Sequence, residues 1–349
     1  MQTHSVCPTC YRHIEADLFE CEGRIQLRKT CPDHGETTAT VENNVEFYYS
    51  KQAEPKTGFS STPYNIVILE ATDRCNLACP HCYHIPNNKS KDKSIASILA
   101  ESSTAPDTFG IVLGGAEPAV RDDLIDVMTE IKTTGRTIGL LTNGVRFSDK
   151  DFAKSVVEAG LDAITTLVGL NHKNYHTEAV RNKQMEGLAN LQANGIVPMV
   201  GYTSNYEELE DIILECIQLY SERKIALVRL RFSANIGRHP DTPFLTLSNH
   251  LSKVKAICEK HKFSYIELSP LDNTIYHQMV LINGNIFRII QWPDETNIAM
   301  NELKSGPWAK FYPGPITNFC HQIVMRDGIK NKKLPMLDSP PKEYGPLTF

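Results

Sequence analysis

Long hydrophobic runs are missing from this 349-residue sequence. No stretch approaches the roughly 18 apolar residues that a membrane-spanning helix needs. The first residues show no basic segment followed by an apolar one, so no secretory leader is expected. A strong excess of positive charge is also missing, since the formal net charge is -5, and this argues against a dedicated nucleic-acid binder. We therefore expect a cytoplasmic protein without a membrane span.

Cysteine is too scarce for a fold built on disulfides, with ten residues in the whole chain and no sign of an oxidising compartment. Most of the cysteines nevertheless lie in two groups, one within residues 7–31 and one within residues 75–82, while Cys216, Cys258 and Cys320 stand alone. In a reducing cytosol, clustered thiols indicate metal ligands rather than disulfide bridges.

The apolar pattern predicts three domains: a metal-knuckle head at residues 1–55, an α/β part at 64–270, and a hairpin with a C-terminal extension at 271–349. The head shows one hairpin, turning at Glu22-Gly23, which is too small to bury a core unaided. The extension begins with a second hairpin at Asn283-Gly284. Its remainder is expected to cover the open side of the α/β part.

Short apolar runs alternate with helical periodicity from residue 64 to residue 262, as in parallel strands covered on both faces by crossover helices. The predicted strands lie at residues 64–71, 109–113, 137–141, 163–168, 197–202 and 226–232. The predicted helices lie at residues 122–133, 149–159, 180–194, 206–220 and 247–262. Six strands are fewer than the eight of a closed barrel. The predicted fold class is therefore α/β, a partial (β/α)6 TIM-like barrel with a small N-terminal metal-stapled head, of zinc-ribbon or rubredoxin type, and an irregular C-terminal extension.

Three cysteines, Cys75, Cys79 and Cys82, follow the first of these strands with gaps of three and two residues. The loops at the carboxyl ends of barrel strands carry function. Three thiolates leave one iron of an Fe4S4 cube without a protein ligand, and that iron can chelate the amino and carboxylate groups of S-adenosylmethionine. A structural zinc knuckle completed by His81 or His84 is the alternative. The spacing resembles that of the radical S-adenosylmethionine superfamily.

A second motif follows the second strand. Gly114-Gly115-Ala116-Glu117-Pro118 resembles the Gly-Gly-Glu-Pro segment of that superfamily, which implies a contact with the amino group of S-adenosylmethionine. Ala116 is either an insertion or stands in for the second glycine. The backbone carbonyls of Gly114 and Gly115 therefore compete with the Glu117 carboxylate for this contact.

The resemblance implies two more cofactor contacts. Thr142 and Asn143, after the third strand, would lie near the ribose, and Asn143 is favoured for a hydroxyl contact. His81 occupies the position of an aromatic residue whose backbone touches the adenine in the superfamily.

The head contains two matching knuckles, one from Cys7 to Cys10 and one from Cys31 to His34. Each has proline in second place, and together they supply three thiolates and one imidazole for a closed tetrahedral site. The predicted ion is Zn or Fe, which the sequence does not separate. Cys21 is the alternative fourth ligand, in place of His34.

The head and the core together resemble one branch of the superfamily, which includes archaeal pterin methylases and tetraether lipid synthases. This implies an enzyme of transferase or lyase type that cleaves S-adenosylmethionine reductively to a 5′-deoxyadenosyl radical. The radical would abstract hydrogen from a small-molecule substrate, for C-alkylation or C–C bond formation. An external electron donor such as flavodoxin or ferredoxin is also implied. The alternatives are a maturase that modifies a peptide or protein, and a non-enzymatic adaptor with two structural metal sites.

Three residues are candidates for substrate contact or catalysis. Arg229 and Arg231 alternate with apolar residues on the sixth strand, so both project to the same side. Buried arginines need anionic partners, which here are the carboxylate of S-adenosylmethionine, an acidic substrate, or helix carboxylates in salt bridges. Tyr202 at the end of the fifth strand is a candidate hydrogen donor or substrate contact, with simple packing as the alternative.

Overall fold

The computed structural model describes residues 1–10, 12–53, 66–79, 82, 86–103, 107, 110–162, 165–170, 177–222, 224–232, 245–268 and 277–291. The chain divides into two compact units. The first contains residues 1–61, 231–284 and 288–349, and the second contains residues 62–230 and 285–287. The predicted C-terminal extension lies outside the described residues from residue 292 onwards.

The head is a four-stranded antiparallel sheet with the strand order β1-β2-β3-β4. Its strands are β1 (Gln2–Val6), β2 (His13–Cys21), β3 (Arg24–Cys31) and β4 (Gly35–Glu42), and the helix α1 (Val45–Ala53) follows them. The expected hairpin at Glu22-Gly23 joins β2 to β3. The sequence did not predict β1 or β4, because serine and threonine occupy many positions of these two outer strands and weaken their apolar alternation. It did not predict α1 either.

The second unit carries the alternation of strands and helices that the sequence predicts. Its strands are β5 (Ile66–Thr72), β6 (Gly110–Gly115), β7 (Ile138–Thr142), β8 (Thr166–Val168), β9 (Met199–Ser204) and the first three residues of β10 (Val228–Phe232). Its helices are α2 (Ile95–Ser102), α3 (Leu124–Thr133), α4 (Lys150–Glu158), α5 (Glu178–Ala193) and α6 (Leu209–Ser221). The strands lie side by side in chain order, and the pairs from β5 to β9 are parallel.

Burial explains why these segments form strands and helices. Ile111, Val112 and Leu113 in β6 are each at most 1% exposed, as expected for a parallel strand that is covered on both faces. In α3 the buried residues are Leu124, Val127, Met128 and Ile131, which recur with the spacing of one helical face. The helix α2 was not predicted, because its eight residues span little more than two turns of periodic pattern.

The last described elements are α7 (Leu247–His261), β11 (Tyr265–Glu267), β12 (His277–Ile282) and β13 (Asn285–Ile290). The turn from β12 to β13 is the predicted Asn283-Gly284, and its two residues have φ angles of 50° and 78°. Positive φ at both turn positions is what a type I′ hairpin requires. Within the described part of the chain, no helix combines the length and apolar character needed to cross a bilayer.

A buried carboxylate fastens the head to α7 within the first unit. Glu42, the last residue of β4, accepts hydrogen bonds from the hydroxyls of Thr246 and Ser248 at the start of α7. Asn43 donates its side-chain amide to Asn249 Oδ1 at 2.8 Å. Burial raises the pKa of Glu42, and the hydrogen bonds from Ser248 and Thr246 act in the opposite direction. A carboxylate at a helix N-terminus also interacts favourably with the helix dipole.

Replacement of Glu42 by alanine should therefore destabilise the protein. The substitution leaves the hydroxyls of Thr246 and Ser248 without their buried acceptor, which should cost about 1–3 kcal/mol. The measurement is thermal unfolding of the full chain, with Glu36→Ala as the control because Glu36 is exposed on the same strand. Equal melting temperatures for the two variants would contradict this role.

Candidate metal centres and cofactor site

The two knuckles of the head meet at one point. One donor atom from each of Cys7, Cys10, Cys31 and His34 lies within 4.8 Å of all the others. The Sγ atom of Cys31 lies 3.4 Å from His34 Nδ1, and that of Cys10 lies 3.8 Å from Cys31 Sγ. Three thiols and an imidazole at these separations are a suitable donor set for one tetrahedral Zn or Fe ion.

The surroundings shift the pKa values of two of these thiols in opposite directions, lowering that of Cys7 and raising that of Cys10, the latter mainly through burial. Burial raises the pKa of Cys7, but hydrogen bonds from the backbone of Cys10 and Thr9 and from neighbouring thiols outweigh it and lower the pKa to about 6. Cys21, the alternative fourth ligand, lies at the exposed end of β2, and the group of four includes His34 instead. The structure thus groups the knuckle pair that the sequence favoured.

The second cysteine group lies on the loop that follows β5. Cys75, Cys79 and Cys82 are all partly exposed. The Cys82 N–H donates to the Cys79 carbonyl at 3.3 Å, and the Leu77 N–H donates to Cys75 Sγ at 3.3 Å. The thiolates of an Fe4S4 cube bind different irons, so they lie farther apart than the ligands of a single ion. Three thiols on one partly exposed loop suit such a cluster.

Side chains on both sides of the cysteines hold this loop. Arg74 forms a two-pronged ion pair with Asp92, with distances of 3.1 and 2.5 Å, and Asp92 also accepts the hydroxyl hydrogen of Thr72 at 2.5 Å. The pKa of Asp92 is lowered, because these hydrogen bonds outweigh its burial. The Cys75 N–H donates to Asn88 Oδ1 at 2.9 Å. The loop therefore has protein partners independent of any cluster.

The glycine motif forms a tight turn against the end of β5. Gly115 has a φ of 105°, and a Cβ atom there would lie 2.3 Å from the Thr72 carbonyl oxygen. The Ala116 N–H donates to that same oxygen at 2.9 Å. No residue other than glycine fits a backbone approach this close at positive φ.

The carboxyl group of Glu117 lies inside the protein rather than on its surface, with the residue 1% exposed. Its Oε1 accepts hydrogen bonds from the Thr142 hydroxyl at 2.6 Å and from the Ala119 N–H at 3.0 Å. Its Oε2 accepts the Asn143 N–H at 2.6 Å. Burial raises the pKa of Glu117 to about 7, against the opposing effect of these three hydrogen bonds.

Asn143 is engaged in the same way. Its Nδ2 donates to Asn76 Oδ1 at 2.8 Å, and its Oδ1 accepts the Val145 N–H at 3.0 Å. Its backbone carbonyl accepts the side-chain amide of Gln184 at 2.8 Å. Thr142 and Asn143 thus connect the loops that follow β5, β6 and β7. The sequence pattern predicts that residues of these loops contact the cofactor separately.

The candidate substrate residues lie in different surroundings. The side chain of Tyr202 is completely buried, and its hydroxyl donates to Glu215 Oε1 on α6 at 2.8 Å. Burial raises its pKa well above the ordinary value. This placement favours the packing alternative for Tyr202, because its hydroxyl faces the helix layer.

Arg229 and Arg231 alternate with buried apolar residues along β10, as predicted. Phe232 stacks on His250 of α7 with ring centroids 3.7 Å apart. Because successive side chains of a strand alternate, the two arginines share the face of β10 opposite to Phe232, and both are partly buried.

His81, expected beside the adenine, lies outside the described residues. Sequence reasoning missed Asn76, Asp92 and Gln184, which all contact the loops of the site. Asn76 has a local signal, since it follows Cys75 directly. Asp92 and Gln184 come from distant parts of the chain, and no motif marks either of them.

Comparison with known proteins supports both halves of this arrangement. A family model described as an HMPTM N-terminal zinc ribbon domain matches residues 1–43, and one described as the radical SAM superfamily matches residues 69–216. The 7,8-dihydro-6-hydroxymethylpterin dimethyltransferase of Methanocaldococcus jannaschii is 29% identical over 203 residues, which cover 50% of this chain and 40% of that protein. The Fe-coproporphyrin III synthase of Methanosarcina barkeri is 29% identical over 52% of this chain and 47% of its own. The chain thus matches less than half the length of either relative.

Among solved structures, SuiB of Streptococcus suis bound to S-adenosylmethionine has a TM-score of 0.44 at 14% identity. The match covers 57% of this chain and 48% of that one.

The metal site in the head should be independent of the loop cysteines. A variant with alanine at Cys75, Cys79 and Cys82 should retain about one Zn or Fe per chain, as a closed four-ligand site requires, measured by elemental analysis. Adding Cys7→Ala and Cys10→Ala should remove it.

The fourth ligand is tested by two single variants in that background. Metal should be lost in His34→Ala and retained in Cys21→Ala. The reverse result would identify Cys21 as the ligand, and a metal-free starting variant would contradict the site altogether.

The raised pKa of Glu117 should make its contribution to stability depend on pH. The folded-state value of about 7 exceeds the ordinary value of 4.5, so folding favours the protonated acid. Its contribution is complete below pH 4.5 and is lost as the pH rises to about 7, by on the order of 3 kcal/mol. The melting temperature of the wild type relative to Glu117→Gln should therefore fall between pH 5 and pH 7.5.

The control for this titration is Glu130→Gln, which removes the same charge from an exposed position on α3. A constant difference between the wild type and Glu117→Gln across this pH range would show that Glu117 is already ionised.

Proposed function

We propose that this chain cleaves S-adenosylmethionine reductively and uses the resulting radical on a small-molecule substrate. The family models of a zinc ribbon and of the radical SAM superfamily, which match residues 1–43 and 69–216, support this proposal. The observation that carries this proposal is the loop after β5, where three partly exposed thiols lie at the carboxyl end of a parallel strand. This donor set fits an Fe4S4 cluster with one open iron.

Cys75, Cys79 and Cys82 would hold the cluster, and the chemistry it would supply is one electron, taken from an external donor, for cleavage of the S–C5′ bond of S-adenosylmethionine into methionine and a 5′-deoxyadenosyl radical. The protein's own contribution is to hold the loop in place and to position the reactants. The ion pair of Arg74 with Asp92 fixes the entry to the loop from β5. An external ferredoxin or flavodoxin is the proposed electron donor.

The binding of the amino group of S-adenosylmethionine is proposed for the backbone carbonyls of Gly114 and Gly115. Both Glu117 oxygens already accept hydrogen bonds inside the protein, which favours this alternative over the carboxylate. The glycines allow a close approach to the main chain. The turn at Thr142 and Asn143 lies beside this segment, because both residues donate hydrogen bonds to the Glu117 carboxylate.

An anionic group is proposed to bind at Arg229 and Arg231. The two arginine side chains share one face of β10, since successive residues of a strand alternate between its faces. Planar guanidinium groups bind carboxylates and phosphates with paired hydrogen bonds. The partner is either the carboxylate of S-adenosylmethionine or an acidic group of the substrate.

For the reaction class, we propose C-alkylation or C–C bond formation on a small molecule. The support is that two relatives are named for reactions of a pterin and of a porphyrin, and both of these compounds are small molecules. A peptide substrate is the competing possibility, and the products formed from a small molecule and from a peptide distinguish the two substrate classes.

The ion in the head has a proposed structural role, because it joins knuckles from the β1–β2 and β3–β4 connections.

Loss of the three loop thiols should abolish the chemistry without unfolding the protein. The variant with alanine at Cys75, Cys79 and Cys82 should lack the brown Fe4S4 absorbance and form no 5′-deoxyadenosine after anaerobic reconstitution and reduction. The reason is that these side chains lie on a partly exposed loop rather than in the core.

Cys21→Ala is the matched control, since it removes an exposed thiol that belongs neither to the four clustered donors of the head nor to the loop cysteines. Formation of 5′-deoxyadenosine by the triple variant at the wild-type rate would overturn the proposed function.

A further inference from the structure

A ring of hydrogen bonds encloses Cys75, the first of the three loop cysteines. The Glu117 N–H donates to the carbonyl of Arg74, the residue before Cys75, at 3.0 Å. The Glu117 carboxylate accepts the N–H of Asn143 at 2.6 Å. The Asn143 side chain then donates to Asn76, the residue after Cys75, at 2.8 Å. Both chain neighbours of Cys75 are thus held by the same two residues.

From this ring we infer that Glu117 and Asn143 are positioning residues for Cys75, and that they act on the cluster through the loop rather than by contact with S-adenosylmethionine. The inference rests on the proposed function, because it gives these residues a task in the binding of the cluster. It replaces the two direct cofactor contacts that the sequence pattern implied.

The burial of Glu117 supports this role. Its side chain is 1% exposed, and three donors occupy its two oxygens. An ionised carboxylate has about four lone-pair positions, so most of its accepting capacity is used inside the protein. An ammonium group of a ligand would have to displace one of these buried hydrogen bonds.

The hydrogen bonds of Asn143 also support the positioning role. Its N–H, its carbonyl, its Oδ1 and its Nδ2 each have a partner, and the Gln184 amide that binds the carbonyl also donates to the Gly169 carbonyl at 3.2 Å. The turn is therefore anchored from α5 as well as from Glu117. The Asn143 Nδ2 also lies 3.9 Å from Cys75 Sγ, so Asn143 reaches Cys75 both directly and through Asn76.

The ring predicts which substitutions at Asn76 matter. Asn76→Leu removes the oxygen that accepts from Asn143, whereas Asn76→Asp keeps an acceptor at the same place. Asn87→Leu is the matched control, because Asn87 is an exposed asparagine of the same loop outside the ring. Glu117→Ala opens the ring at a second point.

The first measurement uses the reconstituted full chain without S-adenosylmethionine. Asn76→Leu and Glu117→Ala should change the electron paramagnetic resonance signal of the reduced cluster and speed iron loss to a chelator roughly fivefold, the effect of one hydrogen bond worth about 1 kcal/mol. Asn76→Asp and Asn87→Leu should keep the wild-type signal and rate. The double variant Asn76→Leu/Glu117→Ala should lose iron no faster than either single variant, because both substitutions interrupt the same ring.

A different outcome overturns the inference. If Asn76→Leu kept the wild-type signal and iron-loss rate while Glu117→Ala weakened only the binding of S-adenosylmethionine, Glu117 would be a direct cofactor contact. Additive effects in the double variant would place Asn76 and Glu117 in separate interactions.

The second measurement separates this inference from the proposed function. In the cluster-free chain, the backbone amides of Cys75, Glu117 and Asn143 should exchange hydrogen slowly in the wild type and in Asn76→Asp, and faster in Asn76→Leu. Absence of a four-iron cluster in the wild type would defeat the proposed function alone. Equal exchange in all variants would defeat the ring, whatever the cluster does.

Discussion

The carboxylate of Glu117 lies between the loops that follow β5, β6 and β7, and the relative position of these loops depends on it. It accepts from the backbone and side chain of the turn after β7, while its own N–H donates to the loop that carries the cysteines. Parallel strands bring their carboxyl ends to one edge of a sheet, but they leave the loops there without a ladder of their own. A single acceptor with several lone pairs supplies the missing connection.

This connection has a physical cost. A carboxylate without water is unfavourable unless hydrogen bonds compensate for the lost hydration. The pKa of Glu117, raised by burial to about 7 despite three hydrogen bonds, shows that compensation is incomplete. Loops that must place several thiols around one cluster gain from such an arrangement, because rigid neighbours reduce the ordering that remains when the cluster binds. The same principle accounts for the ion pair of Arg74 with Asp92 on the other side of the loop.

The two cysteine groups illustrate opposite uses of thiols. In the head, four donor atoms lie close together, and two of the cysteines are buried with Ile14 in a small core. Such a closed set suits a structural ion that staples a small sheet. On the loop after β5, three thiols remain partly exposed, and the cluster proposed for them would keep one coordination position open for a second ligand. The number and exposure of the ligands, rather than their identity, separate a structural site from a reactive one.

The sequence by itself determined the alternation of strands and helices from β5 to α7, because apolar periodicity is a local property of each segment. It also determined the two cysteine groups and the pairing of the knuckles, since ligand spacing within a turn is local as well. It did not reveal β1, β4 and α2, whose apolar patterns are weak or short, and it assigned Glu117 and Asn143 to a ligand rather than to each other. Only the tertiary structure shows that Asn143 donates its N–H to Glu117 and its side-chain amide to Asn76. Asn76, Glu117, Asn143 and Gln184 meet through parallel strands and a crossover helix, and contacts between residues so distant in the chain depend on how these elements pack, which no local pattern encodes.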